Sequence, residues 1–193
     1  MSVEICLRSE VNSLDLLELM FSKGFKIQED FVMNDIYMIS NNVKISKRNR
    51  NYILKNNVLV RETVGKSISL VKKNKTYDNK GNIINEKKIK CNINSVQEGY
   101  EFMLGIGYKE AFRISDHNIL VTNGVNEIYI QDVDGLGTYV EMEDKNLLLK
   151  HKNGNNLEEL VSTIKKYNLP LDYNDICVKK AEDLINSIFK NVE

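Results

Sequence analysis

One proline, no tryptophan and three cysteines in 193 residues leave little to stiffen or staple this chain covalently. The cysteines, Cys6, Cys91 and Cys177, are odd in number, far apart and in no metal-ligand spacing. That argues against a disulfide framework or a structural zinc motif, and predicts reduced thiols, buried as small apolar residues, in a reducing compartment. Net charge is also missing. Lysine plus arginine number 27 and aspartate plus glutamate 27, so no global basic excess points to nucleic acid or an anionic membrane surface, and any charge logic must be local. No run approaches the roughly 20 apolar residues of a membrane-spanning helix. The opening MSVEICLRSE lacks a basic segment followed by a long apolar stretch, so the expectation is a soluble cytoplasmic protein with neither nucleic acid nor membrane as partner. The length fits one self-supporting core, hence a single domain over 1–193.

The hydrophobic pattern changes period repeatedly. Val3, Ile5 and Leu7 alternate with Glu4, Cys6 and Arg8, which predicts a strand with two unlike faces. Ser13 then stands before LDLLELMFSKG, predicting a helix capped by Ser13, with Leu14, Leu17 and Phe21 inward and Gly24 as its stop. Phe25 to Ser40 ends in a strand pattern with Asp35 and Tyr37 on one face; packing is the expected role of Tyr37. From Val43 to Tyr77, VKISKR, NYILKNNVLVRETVG and SISLVKKNKTY read as a meander of short strands. Asp78 to Asn85 reads as a turn, KKIKCNI as a further strand, and Ser95 to Gly105 as a capped helix with Val96, Tyr100 and Met103 or Leu104 inward. Four more strand signals follow, in YKEAFRISD, HNILVTN, NEIYIQDV and TYVEMED, with Asn123-Gly124 as a hairpin turn. Two helices, Asn156–Lys166 and Asn174–Phe189, close the chain and are expected to pack on the sheet over about 156–190. The prediction is an α+β fold: a largely antiparallel, barrel-like sheet whose strands turn polar side chains into a central tunnel, with flanking helices.

Glu141 and Glu143 in YVEME leave the same face of one strand, where like charges are unfavourable unless solvent, a cation or a metal compensates. Basic residues alternate comparably elsewhere: Arg8, Arg61, Lys72, Lys88, Lys90 and Arg113. A ring of such strands could hold a phosphate chain between cations and a metal. Each residue also has a plainer reading as a solvated strand face, most obviously Lys88 and Lys90. His117 and His151 sit in polar, turn-like segments without an evident catalytic partner. Asp134 to Gly137, DGLG, lacks the pattern of a dinucleotide or P-loop motif and reads as a turn.

The stretch Ile130 to Glu143, IQDVDGLGTYVEME, resembles the CYTH domains or triphosphate tunnel metalloenzymes, which include class IV adenylate cyclases, thiamine triphosphatases and inorganic triphosphatases. VEICLR, DIYM, VLVRE, SLVKK and the helix leading to GIGY follow in the family's order, so the resemblance covers nearly the whole chain. It implies a protein binding a triphosphate-containing small molecule, nucleotide or polyphosphate in a β-tunnel, with metal-dependent phosphohydrolase or adenylate cyclase activity. It further implies Mg²⁺ or Mn²⁺ on Glu4, Glu141 and Glu143, and phosphate on Arg8, Arg61, Lys72, Lys88, Lys90 and Arg113.

The departures from that pattern are as informative. The family's amino-terminal Glu-x-Glu-x-Lys falls on Ser2, Glu4 and Cys6, or, shifted by two, on Glu4, Cys6 and Arg8; either register turns the same face inward. Leu59 replaces the first arginine of an Arg-x-Arg pattern that Arg61 completes. Lys88, Lys90 and Asn92 stand where acids are common, Ser115 replaces an arginine, and Gln131 replaces an aspartate, with Asp132 facing the other way. Fewer acids and added lysines imply the alternative of a catalytically degenerate binder of polyphosphate or nucleotide. Unpaired strand edges leave a homodimer open.

Overall fold

A computed structural model, describing residues 3–77, 83–144 and 156–190, shows an α+β chain. Its elements are β1 (Val3–Ser9), α1 (Ser13–Ser22), β2 (Lys26–Ser40), a 3-10 turn (Lys47–Asn49), α2 (Arg50–Asn56), β3 (Val58–Thr63), β4 (Ser67–Tyr77) and β5 (Ile83–Asn92). There follow α3 (Val96–Gly105), β6 (Tyr108–Thr122), β7 (Glu127–Val133), β8 (Gly137–Asp144), α4 (Asn156–Lys165), β9 (Leu171–Asp172) and α5 (Lys180–Lys190). The nine strands belong to one sheet in the hydrogen-bonded order β5-β4-β3-β2-β6-β7-β8-β1-β9. The pairings of β1 with β8 and β9, of β3 with β2 and β4, and of β7 with β8 are antiparallel. No helix among the described residues is long and apolar enough to cross a membrane.

The chain divides into two compact units, and the long strands β2 and β6 contribute to both. The first comprises residues 3–31, 76–77, 83–86, 117–144 and 156–178. Its core joins Ile5 and Leu7 of β1 to Leu16, Leu17 and Met20 of α1, Ile128 and Ile130 of β7, Val140 and Met142 of β8, and Leu160 and Ile164 of α4. Each such side chain, once fully buried, contributes roughly 1.5–3 kcal/mol. The Asn12 side chain caps α1 by accepting from the Asp15 amide at 3.0 Å. Between β7 and β8 the turn closes through the Leu136 amide donating to Val133 O, with Gly135 at φ 72° and Gly137 at φ 96°. Those are left-handed conformations that glycine adopts without the Cβ clash.

The second unit comprises residues 32–75, 87–116 and 179–190. Here Ile36, Met38 and Val60 pack under Met103 of α3, with Val96 and Tyr100 against the same cluster. Ser95 caps α3 by accepting from the Glu98 amide. Register places Asp35 opposite Arg61 and Arg61 opposite Ser69, with Tyr37 opposite Leu59 and Leu59 opposite Val71. These residues form the other face of the same strands, and Tyr37 stacks there on Phe112 with ring centroids 4.4 Å apart.

Several expectations are corrected. α1 buries Leu16, Leu17 and Met20, while Leu14 and Phe21 are exposed and Asn12 instead of Ser13 is the cap. NYILKN is helix, because Asn57 turns back to satisfy the last carbonyls of α2, its Nδ2 donating to Ile53 O and Leu54 O. His117 lies inside the continuous strand β6, with Nε2 2.6 Å from the Asp30 carboxylate, so it does have an acidic partner. Of the cysteines only Cys6 is buried; Cys177 is half-buried and Cys91 exposed. The last helix begins at Lys180, since the residues before it pair with β1 through Cys6 and Cys177. The core of the predicted Asp78–Asn85 turn and His151 lie outside the described residues.

Candidate functional site

In the first unit the strand period fixes the site. Ile5 and Leu7 go to the core, so Glu4, Cys6 and Arg8 leave the opposite face of β1. Val140 and Met142 likewise leave Tyr139, Glu141 and Glu143 on that face of β8. Register sets Glu4 directly across from Glu143, Cys6 across from Glu141, and Arg8 across from Tyr139. One strand further, Tyr129 faces Glu141 and Gln131 faces Tyr139. Directly opposed residues of an antiparallel pair have Cβ atoms about 4.5–5.5 Å apart, so the side chains of Glu4 and Glu143 start from neighbouring positions on one face, with Glu141 one strand repeat along.

Deeper on β7, the buried Gln131 donates from Nε2 to Asn118 Oδ1 at 2.9 Å. Its Oε1 is also buried and has no hydrogen-bond partner among the described residues. An orphaned acceptor of this kind costs on the order of 1–3 kcal/mol unless a donor or cation meets it. Asp132 points the other way, exposed, accepting from Ser13 Oγ at 3.3 Å.

No group of three or more histidine, cysteine, aspartate or glutamate side chains among the described residues is assembled into a metal-binding cluster. The facing pair Glu4 and Glu143 fits a single hard cation of the kind that keeps several waters and takes one or two carboxylates together with substrate phosphates. It does not fit two closely spaced metals.

In the second unit Arg61 is committed internally. Its Nε and one terminal nitrogen donate to Asp35 at 2.7 and 2.5 Å, a bidentate fork that is largely buried. Burial works against the guanidinium charge, but the hydrogen bond and charge of Asp35 outweigh it, so the pKa rises above its ordinary value. Ser69, across from Arg61, has a buried hydroxyl without a partner among the described residues. On the same side Asp116, only 2% exposed, accepts from Lys180 Nζ of α5 at 2.8 Å. Sequence reading missed Lys180 because it stands 64 positions from Asp116 and on a helix.

The other expected phosphate ligands are dispersed. Lys72 is one step out of phase with Ser69 and Val71, which share the side of Arg61. Its ammonium donates to Lys55 O and Asn57 O at the carboxyl end of α2, and burial lowers its pKa. Arg113 is similarly out of phase with Phe112 and forms a bidentate pair with Glu110 at 2.9 and 2.8 Å, above the Tyr100 ring. Hydrogen bonding from Arg113 holds the Glu110 carboxyl below its usual range. Arg113 also lines a cavity of about 230 Å³ with Asn34, Glu62, Val96 and Ser115. Lys88 and Lys90 are exposed on β5, with Lys90 Nζ 3.4 Å from Ser67 Oγ.

The placement of Lys72 carries a prediction. Lys72→Met removes two donors from helix-terminal carbonyls, and urea denaturation should show a loss of about 1–2 kcal/mol. Triphosphate affinity should stay within twofold; a tenfold loss would return Lys72 to the ligand.

No family model and no curated protein matches the sequence. Solved structures do match. A conserved hypothetical protein from Pyrococcus furiosus superposes with a TM-score of 0.69 at 15% identity, over 94% of this chain and 99% of its own. A "putative adenylate cyclase" from Vibrio parahaemolyticus gives 0.62 at 14%, over 96% and 97%. A chain of the Schizosaccharomyces pombe Mediator head module gives 0.54 at 10%, over 86% and 92%. The likeness is one of fold. Proteins as different as a "putative adenylate cyclase" and a Mediator component share it, so activity must be argued from the residues.

Proposed function

We propose that this chain binds a triphosphate-containing small molecule, a nucleotide or polyphosphate, on the carboxylate-bearing face of β1 and β8, with one Mg²⁺ or Mn²⁺ bridging protein and phosphate. The observation that carries this reading is the direct opposition of Glu4 and Glu143, with Glu141 and Arg8 on the same face. Two carboxylates held face to face across a ladder are unfavourable alone and favourable around a cation. Glu4 and Glu143 would hold the ion, with Glu141 one strand repeat along, while Gln131 lies across from Tyr139 toward the Arg8 end of the face. The ion would supply charge neutralisation on the phosphate oxygens, and Arg8 a charge-assisted hydrogen bond to the chain. The fold shared with the Vibrio "putative adenylate cyclase" agrees with nucleotide chemistry; phosphohydrolase or adenylate cyclase is the reaction class proposed.

A second reading, binding without turnover, has its own support. Gln131 is a neutral amide where the resembled enzymes carry an aspartate, and the Arg61 fork is occupied by Asp35. Phosphoryl transfer depends on stabilising charge at the moving group, and both departures reduce what remains for it. One experiment separates the readings. Calorimetric titration of ATP and inorganic triphosphate, with Mg²⁺, Mn²⁺ or chelator, is run beside assays for phosphate, pyrophosphate and cyclic AMP. Metal-dependent binding with product establishes the enzyme. Binding without product establishes the carrier or sensor. No binding of either compound overturns the proposal.

A further inference from the structure

We propose that Cys6 and Cys177 form a reversible disulfide, making this pair a redox-modification site independent of any phosphate ligand. The two residues are partners in a parallel β-bridge: the Cys6 amide donates to Ile176 O and the Val178 amide to Cys6 O, both at 3.0 Å. In that arrangement the side chains of the paired residues leave the same face. Paired strands lie about 4.8 Å apart, inside the roughly 4.4–6.8 Å between Cα atoms that a disulfide spans. Neither residue is in a disulfide in the structure, so the sulfurs are a dithiol held in register by backbone hydrogen bonds. The backbone pairing already holds the two residues side by side.

Exposure sets the order of events. Cys6 is 8% exposed and Cys177 half-buried, so an oxidant of the glutathione disulfide class reaches Cys177 first. The Cys177 thiolate attacks one sulfur of the oxidant, giving a mixed disulfide and one glutathione thiolate. The Cys6 thiolate then attacks the Cys177 sulfur and expels the second glutathione. Two protein thiols lose two electrons, the oxidant becomes two glutathiones, and the two protons leave with them. Cys91 is exposed on β5 and has no part in this.

The bond would fasten the segment preceding α5 to β1 at the residue that faces Glu141. It therefore couples thiol oxidation to the strand carrying Glu4 and Arg8.

The test uses the full chain carrying Cys91→Ser, equilibrated at low protein concentration in glutathione buffers from reducing to oxidising. Samples are then unfolded in guanidinium with an alkylating reagent and weighed intact. The expected result is a monomer two hydrogens lighter with no alkylated thiol, against two alkylated thiols in reducing buffer. Cys177→Ser in the same background should leave Cys6 alkylated throughout, without a glutathione adduct. Two alkylated thiols under oxidising conditions, a stable glutathione adduct on Cys177 beside alkylated Cys6, or linked dimers would each overturn the proposal.

Discussion

Arg61→Met should lower the unfolding free energy by about 3–5 kcal/mol, the typical cost of stranding one partner of a buried ion pair. The side chains of Arg61 and Asp35 are 19% and 7% exposed, so removing the guanidinium leaves a carboxylate that water reaches poorly. Methionine keeps much of the arginine's volume, so cavity formation adds little. The double variant Asp35→Leu/Arg61→Met should recover most of the loss, because a well-packed apolar pair of similar size is often as stable as the ion pair. Urea denaturation of the wild type, the single variants Asp35→Leu and Arg61→Met, and the double variant gives the coupling directly. A single-variant loss below about 1 kcal/mol, the range of exposed pairs, would mean that the fork is solvated and weak. Triphosphate titration of the same variants adds a second reading. If Arg61 is purely structural, affinity follows the folded fraction, whereas a tenfold loss in fully folded protein would put the guanidinium on phosphate.

Glu143→Gln should move two properties in opposite directions. Without metal the thermal midpoint should rise by a few degrees, since like charges directly opposed on an antiparallel ladder cost about 0.2–1 kcal/mol. With Mg²⁺ present, the metal-dependent gain in triphosphate affinity should fall tenfold or more, because one of the two facing carboxylates is gone. Glu4→Gln should reproduce both effects from the other strand. Stability gained with function lost is the signature of a site whose charges are kept for a ligand. A lower midpoint together with unchanged metal dependence would make Glu4 and Glu143 an ordinary solvated pair and sink the proposed metal position.

Much of this face was legible in the sequence because β-strands are read by a period of two. Once Ile5, Leu7, Val140 and Met142 are assigned to a core, Glu4, Cys6, Arg8, Glu141 and Glu143 must share the other face, and the turn at Gly135 to Gly137 brings β7 and β8 together. The register of β1 against β8 was not legible: nothing local to Glu4 says that Glu143, instead of Glu141, lies opposite. The Arg61–Asp35 fork escaped for the same reason, although Asp35 was already assigned to a polar face beside Tyr37. α2 was missed because asparagine-rich NYILKN carries no helical stripe of its own, and its end is secured by Asn57 and by Lys72 from another strand. In α1, Leu14 and Phe21 offered as regular a stripe as Leu16, Leu17 and Met20; only the tertiary core chose between them.

The sheet order has a consequence for how the chain comes into being. β1 is made before the other described strands, yet its ladder partners are β8 and β9, far along the chain. At a translation rate of about 5–20 residues per second, Ile5 and Leu7 wait on the order of ten seconds before β8 leaves the ribosome. Such high-separation pairing slows folding and leaves the apolar face of β1 unpaired while the intervening residues are made. Charged residues such as Glu4 and Arg8, flanking that strand's centre, are of the kind that disfavours intermolecular strand pairing during this interval.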